Sequence, residues 1–170
     1  MDVYLQKAKS AIEEATQGMT PEQLAWHPDG KWCAAEVLEH LSLAFGGTAK
    51  MLGRVLDTGK PMVTRKTPFQ MVGTFLITGL GVFPGGRKAP AGVTPKGIDS
   101  SKAVGEILAN LQAMDERLTK CDAKFGNQQQ VADHPVLGAL KIAQWRRFHC
   151  VHTQHHMKQI HRLRMMQRLP

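Results

Sequence analysis

Apolar residues recur every three or four positions over four long stretches of the chain, and that period predicts helices. In residues 2 to 17, Val3, Leu5, Ala8, Ala11, Ile12 and Ala15 share one side, and the pattern stops at Gly18. Thr20-Pro21-Glu22 opens a short helical turn that His27-Pro28-Asp29-Gly30 breaks. A second long helix is expected from about Cys33 to Asp57. Its stripe is Val37, Leu38, Leu41, Ala44, Phe45, Thr48, Leu52 and Val55, and it ends at Thr58-Gly59-Lys60-Pro61. Ser100 or Ser101 is placed to cap a third, running to about Cys121 on Val104, Ile107, Leu108, Leu111, Met114 and Leu118. A polar loop through Gly126 to Pro135 then leads into a last helix from about Leu137 to Gln167. No period-2 run of β-branched residues interrupts this order. The pattern predicts an all-α, four-helix bundle with a long irregular connection between its second and third long helices.

That connection, residues 60 to 98, is broken by Pro61, Pro68, Pro84, Gly85, Gly86, Pro90, Gly92, Pro95 and Gly97. Phe69 to Phe83 within it carries no charge. It is shorter than the roughly 20 residues a bilayer span needs, so a short buried helix or a lid over the bundle end is expected, with a dimer contact as the next reading and membrane contact as the last. Its Gly-Leu-Gly-Val-Phe-Pro-Gly-Gly run looks like a phosphate loop, yet no strand precedes it and no Gly-Lys-Ser/Thr follows.

Composition adds bounds. With 170 residues and 42% hydrophobic content, residues 1–170 make one domain. Three widely spaced cysteines, Cys33, Cys121 and Cys150, and no basic-then-apolar leader predict a reduced, cytoplasmic protein. The net charge of +8 allows an anionic ligand. Its one local density, Lys158, Arg162, Arg164 and Arg168, reads as a solvated helix end, and a single Tyr offers no base-stacking platform. Neither a nucleic-acid partner nor a membrane partner is expected.

Candidate chemistry sits on the last helix. His152 and His156, four residues apart, fall in the same sector as Trp145, Phe148, Ile160 and Leu163, so both imidazoles face inward one turn apart. His149 and His155 flank that sector, and His161 points roughly opposite, to solvent. On the second long helix His40 borders the apolar stripe. Three imidazoles from two helices would make an open three-histidine metal site, the arrangement of a catalytic centre. Spacing alone leaves a second reading open, in which these are buried structural histidines. A ligating His donates its other N–H to an acceptor, and Glu36 and Gln159 are candidates. Cys33 and Cys150 read as packing residues.

Trp32-Cys33-Ala34-Ala35-Glu36-Val37-Leu38-Glu39-His40-Leu41 resembles the second-helix signature of the DinB-like superfamily, a Trp followed by a helix whose His is the first metal ligand. His152-Thr153-Gln154-His155-His156-Met157-Lys158-Gln159-Ile160 resembles that family's final HxxxH segment. His134-Pro135-Val136-Leu137-Gly138 followed by Trp145 looks like a branch of uncharacterised DinB-related proteins. The resemblance implies an up-down-down-up bundle, often dimeric, holding nickel or zinc on His40, His152 and His156. Characterised relatives include metal-dependent thiol transferases and isomerases and some hydrolases. It therefore implies a protein that activates a low-molecular-weight thiol or water for reaction with a small-molecule substrate. A non-catalytic metal-binding sensor or stress-response bundle is the alternative. The family's catalytic acid or base maps onto no residue here.

Overall fold

The structure, a computed structural model, describes residues 1–84 and 88–167. Gly85 and Gly86 of the glycine-rich run and Arg168 of the basic group lie outside the described residues. The chain is mostly helical. Helix α1 is Val3–Thr16, α2 Pro21–Ala25, α3 Ala34–Thr58, α4 Pro68–Thr74, α5 Ala103–Phe125 and α6 Ile142–Gln167. A π turn, Phe75–Gly79, extends α4, and a 3₁₀ turn, Ala91–Val93, lies on the way to α5.

Local chemistry sets most of the boundaries. The Asp2 carboxylate accepts from the Tyr4 N–H at 2.9 Å and starts α1. Thr20 with Gln23, Cys33 with Glu36 and Thr67 with Gln70 form reciprocal capping boxes that open α2, α3 and α4. Gly59, at φ +73°, closes α3 by returning its N–H to the Val55 and Leu56 carbonyls. Helix α5 departs from expectation. Ser101 donates its N–H and hydroxyl to Asp99, Lys102 is the capping position without a side-chain bond, and the helix runs one turn past Cys121.

Helix α3 packs chiefly on α5 and α1 chiefly on α6, with α3–α6 and α1–α5 contacts closing the core. Leu5, Ile12, Leu38, Leu41, Phe45, Leu52, Ile107, Leu111, Met114 and Leu118 are fully buried there. Burying each side chain of this size contributes about 1.5–3 kcal/mol, which orders the long helices together although none would be stable alone. Helix α6 adds polar anchors. Buried Arg146 donates to the Asp122 carboxylate at 2.6 Å on α5.

The hairpin is the main correction. Residues expected as loop and as the first turn of the last helix form strands β1 (Gln130–His134) and β2 (Gly138–Lys141), so α6 starts at Ile142 rather than near Leu137. The strands pair antiparallel, with Ala132 opposite Leu140 and His134 opposite Gly138. His134 Nδ1 accepts the N–H groups of Val136 and Leu137 and stiffens the turn. Gly138 is at φ +65°, and a Cβ there would lie 2.7 Å from Gln70 Oε1, so the turn requires glycine. Residues 62–64 run beside β1: the Met62 N–H reaches the Val131 carbonyl at 2.9 Å and the Thr64 hydroxyl reaches Asp133 at 2.6 Å. Among the described residues no helix is long and apolar enough to cross a membrane.

Candidate metal centre

Helix α3 carries His40 two turns from its start, and α6 carries His152 and His156 on consecutive turns of its buried face. All three side chains are buried. His152 Nε2 lies 3.2 Å from His40 Nε2 and 3.0 Å from His156 Nε2. One ring nitrogen from each of the three falls within 4.8 Å of the others, a group that can hold a metal ion. The sector placement read from the sequence is the one observed.

The outer nitrogens are held away from this point. His40 Nδ1 donates to the Val93 carbonyl at 2.8 Å and His156 Nδ1 to Gln159 Oε1 at 2.9 Å. Because each of these acceptors takes the ring's N–H, each neutral ring turns a lone pair inward at Nε2. His152 Nδ1 is buried without a hydrogen-bond partner. If the His152 proton is on Nε2 it satisfies only one of its two neighbours; if it is on Nδ1, three lone pairs face one another. A cation at the meeting point removes that conflict, so the residues fit a metal by their own donor chemistry.

Protonation does not resolve the conflict. Burial pushes His152 well below the ordinary histidine value, and the neighbouring His156 and His40 push it further. Burial brings His156 to about 4, against the opposing bond to Gln159. Burial also lowers His40, with the Val93 bond working the other way. Neutral imidazole is the form that ligates metals.

The segment that follows Val93 is held by Glu39, a residue to which the sequence reading gave no role. The buried Glu39 carboxylate accepts the backbone N–H groups of Lys96, Gly97 and Ile98, each at 3.0 Å, and pins the segment after the 3₁₀ turn onto α3. Its signal in the sequence is a charge lodged among buried neighbours on α3. The expected partner of His40, Glu36, is instead used at the helix start, where it accepts the Cys33 N–H at 2.9 Å. Gln159 is where it was expected. Aromatic walls complete the site: Phe83 stacks on His152 with ring centres 4.9 Å apart, and Trp32 lies 5.3 Å from His40.

The remaining histidines have separate roles. His149 is fully buried, bonded through Nε2 to the Thr48 hydroxyl at 3.1 Å and stacked on Trp145, and burial lowers it to about 3. His155 is half-buried beside Phe83, and His161 is exposed. His27, Cys33 and Glu36 form a second cluster with ligand-like spacing among the described residues, in which Cys33 and Glu36 make the α3 capping box and His27 Nδ1 lies 3.6 Å from Glu36. Two cavities among the described residues lie away from the three histidines. One is lined by residues including Gly18, Met19 and Arg164, the other by residues including Lys66, Thr74 and Gln144.

A mostly helical chain with three converged, neutral imidazoles at its core defines a candidate metalloprotein. The chain belongs to the DinB superfamily, whose family model matches residues 4–160. No curated protein and no solved structure matches it.

Proposed function

We propose that the chain is a single-domain DinB-like protein, an up-down-down-up four-helix bundle, that holds a divalent metal, nickel or zinc, on His40, His152 and His156. Within that reading it is an enzyme that activates a low-molecular-weight thiol or water against a small electrophilic substrate, in the cytoplasm. The observation that carries the proposal is the meeting of three Nε2 atoms, with the outer nitrogens of His40 and His156 tied to the Val93 carbonyl and Gln159.

A bound divalent ion lowers the pKa of a thiol or water beside it and so supplies a nucleophile at neutral pH. The protein's own contribution is orientation and exclusion of water. Val93 and Gln159 fix the tautomers of two rings, and Glu39 holds the segment that bears Val93. Phe83, Phe148 and Trp32 present apolar ring surface around the histidines, which lowers the local dielectric. Three protein ligands leave a further coordination position for the reacting group.

Metal analysis of the protein loaded with nickel or zinc tests the first part. About one ion per chain is expected, with loss of most of it in His152→Ala; an unchanged content in that variant removes the site. Thermal shift of the metal-loaded protein with low-molecular-weight thiols tests the second part. A bound thiol at a hundred times its Kd stabilises by about 2.7 kcal/mol. No shift with any thiol argues against the transferase reading and favours a hydrolase with water as the nucleophile or a non-catalytic sensor.

A further inference from the structure

The helical segment of α4 and the π turn is built inside out. One apolar side chain, Ile77, enters the core; beside it are buried Thr74 and Thr78, whose hydroxyls donate to the Gln70 and Thr74 carbonyls of their own helix. Its exposed side carries Met71, Val72, Phe75, Leu76 and, just beyond, Leu80 and Val82, with exposures from 39% for Leu76 to 61% for Phe75. The expected short buried helix is therefore a helix with its apolar side turned out. Contiguous exposed apolar residues of this kind mark a binding surface.

Charge says what covers it. From Asp57 to Asp99 the sequence contains no intervening acid, while Lys60, Arg65, Lys66, Arg87, Lys88 and Lys96 supply most of the excess behind the net charge of +8. Lys60, Arg65, Lys88 and Lys96 are exposed. We propose that the face formed by Met71, Val72, Phe75, Leu76, Leu80 and Val82 docks on an anionic lipid surface, its apolar side chains entering the headgroup boundary and the cations that flank it in the sequence meeting the lipid charge. Seven residues of α4 and five of the π turn give about 18 Å of helix, too short to span, so the segment lies in the plane of the surface. A second copy of the chain fits less well. A two-fold interface sets a patch against itself and would bring the same basic flanks together. The segment also leads to the histidines: the Gly79 carbonyl accepts from Arg147 on α6 at 2.6 Å, and Phe83 stacks on His152. The proposal stands whether or not the histidines hold a metal.

Co-flotation of the full chain with vesicles tests it. Flotation is expected with phosphatidylcholine vesicles containing one third phosphatidylglycerol, and at least about tenfold weaker with phosphatidylcholine alone, since each surface cation is worth roughly fivefold. Raised salt should weaken it. The double variant Phe75→Asp, Leu80→Asp, altered only at exposed positions, should keep its thermal midpoint and lose at least about tenfold in flotation. Absence of flotation, equal flotation with both vesicles, or undiminished flotation of the double variant overturns the proposal. So does a concentration-dependent dimer that the same two substitutions dissolve while vesicles stay unbound, which would assign the face to a second copy.

Discussion

Replacing Glu39 by Gln tests how the candidate metal centre is aligned from outside. One carboxylate oxygen accepts from Lys96 and the other from Gly97 and Ile98, all at 3.0 Å. Gln keeps the shape but offers one acceptor oxygen. With that oxygen on Gly97 and Ile98, the Lys96 N–H faces an amide NH₂. One charge-assisted bond is lost, about 1.5–3 kcal/mol, and the other two fall to neutral strength, roughly half of what they were. Lys96 and Gly97 are exposed, so water recovers part of this, and a net destabilisation of about 1–2 kcal/mol is expected in urea unfolding. The metal should respond more. With the segment loosened, the Val93 carbonyl no longer fixes His40, and nickel or zinc affinity, measured by chelator competition, should fall about 10–100-fold. Asp133→Asn is the control. It weakens the bonds that hold Thr64, at the other end of the same connection, and should leave metal affinity unchanged. Equal affinity in Glu39→Gln and the wild type, with the stability loss present, would refute the alignment argument.

Four other outcomes are expected. Phe83→Ala uncovers His152 and should speed metal release to a chelator by about an order of magnitude, read by stopped-flow, with a small change in thermal midpoint. Phe45→Ala empties a fully buried site against His149 and should cost about 3–5 kcal/mol in urea unfolding, with the cavity the cause. His161→Ala, at an exposed position, should retain full metal content in the analysis that His156→Ala fails. Finally, burial holds His134 at about 4 and His149 at about 3, below the ordinary value near 6.5. The unfolded chain therefore binds more protons below pH 6.5, so metal-free stability is full above that pH and falls progressively toward pH 4 and below. Thermal midpoints recorded from pH 8 to pH 4 should show the fall, and a flat profile would contradict the burial of these two rings.

The long helices were legible because their stripes are long and regular: Val37 to Val55 on α3 and Ile107 to Leu118 on α5 both end in the core. The histidine set was legible for the same reason, since helical period alone turns His152 and His156 inward. What the sequence hid depends on contacts distant along the chain. The hairpin has five- and four-residue strands poor in β-branched residues, and it holds through pairing with β2 and Met62 rather than through its own propensity. His40 meets the Val93 carbonyl, and Glu39 the Lys96 to Ile98 backbone, across more than fifty positions, and backbone groups leave no mark in a sequence. Glu36, one of two candidates for orienting a ligand, caps the helix instead, because a capping role at the helix start and a ligand-orienting role call for the same residue type. The 69 to 83 segment, expected as a short buried helix or a lid, buries Thr74, Ile77 and Thr78 and turns most of its apolar side chains out, because apolar composition does not say which side faces the protein.

X-ray absorption at the metal edge of the nickel- or zinc-loaded chain tests the central claim most directly. The account predicts nitrogen or oxygen scatterers near 2.0–2.1 Å with the multiple-scattering signature of three imidazoles and no sulfur. A sulfur shell near 2.3 Å would place the ion at Cys33 instead, and fewer than three imidazoles would contradict the three-histidine centre.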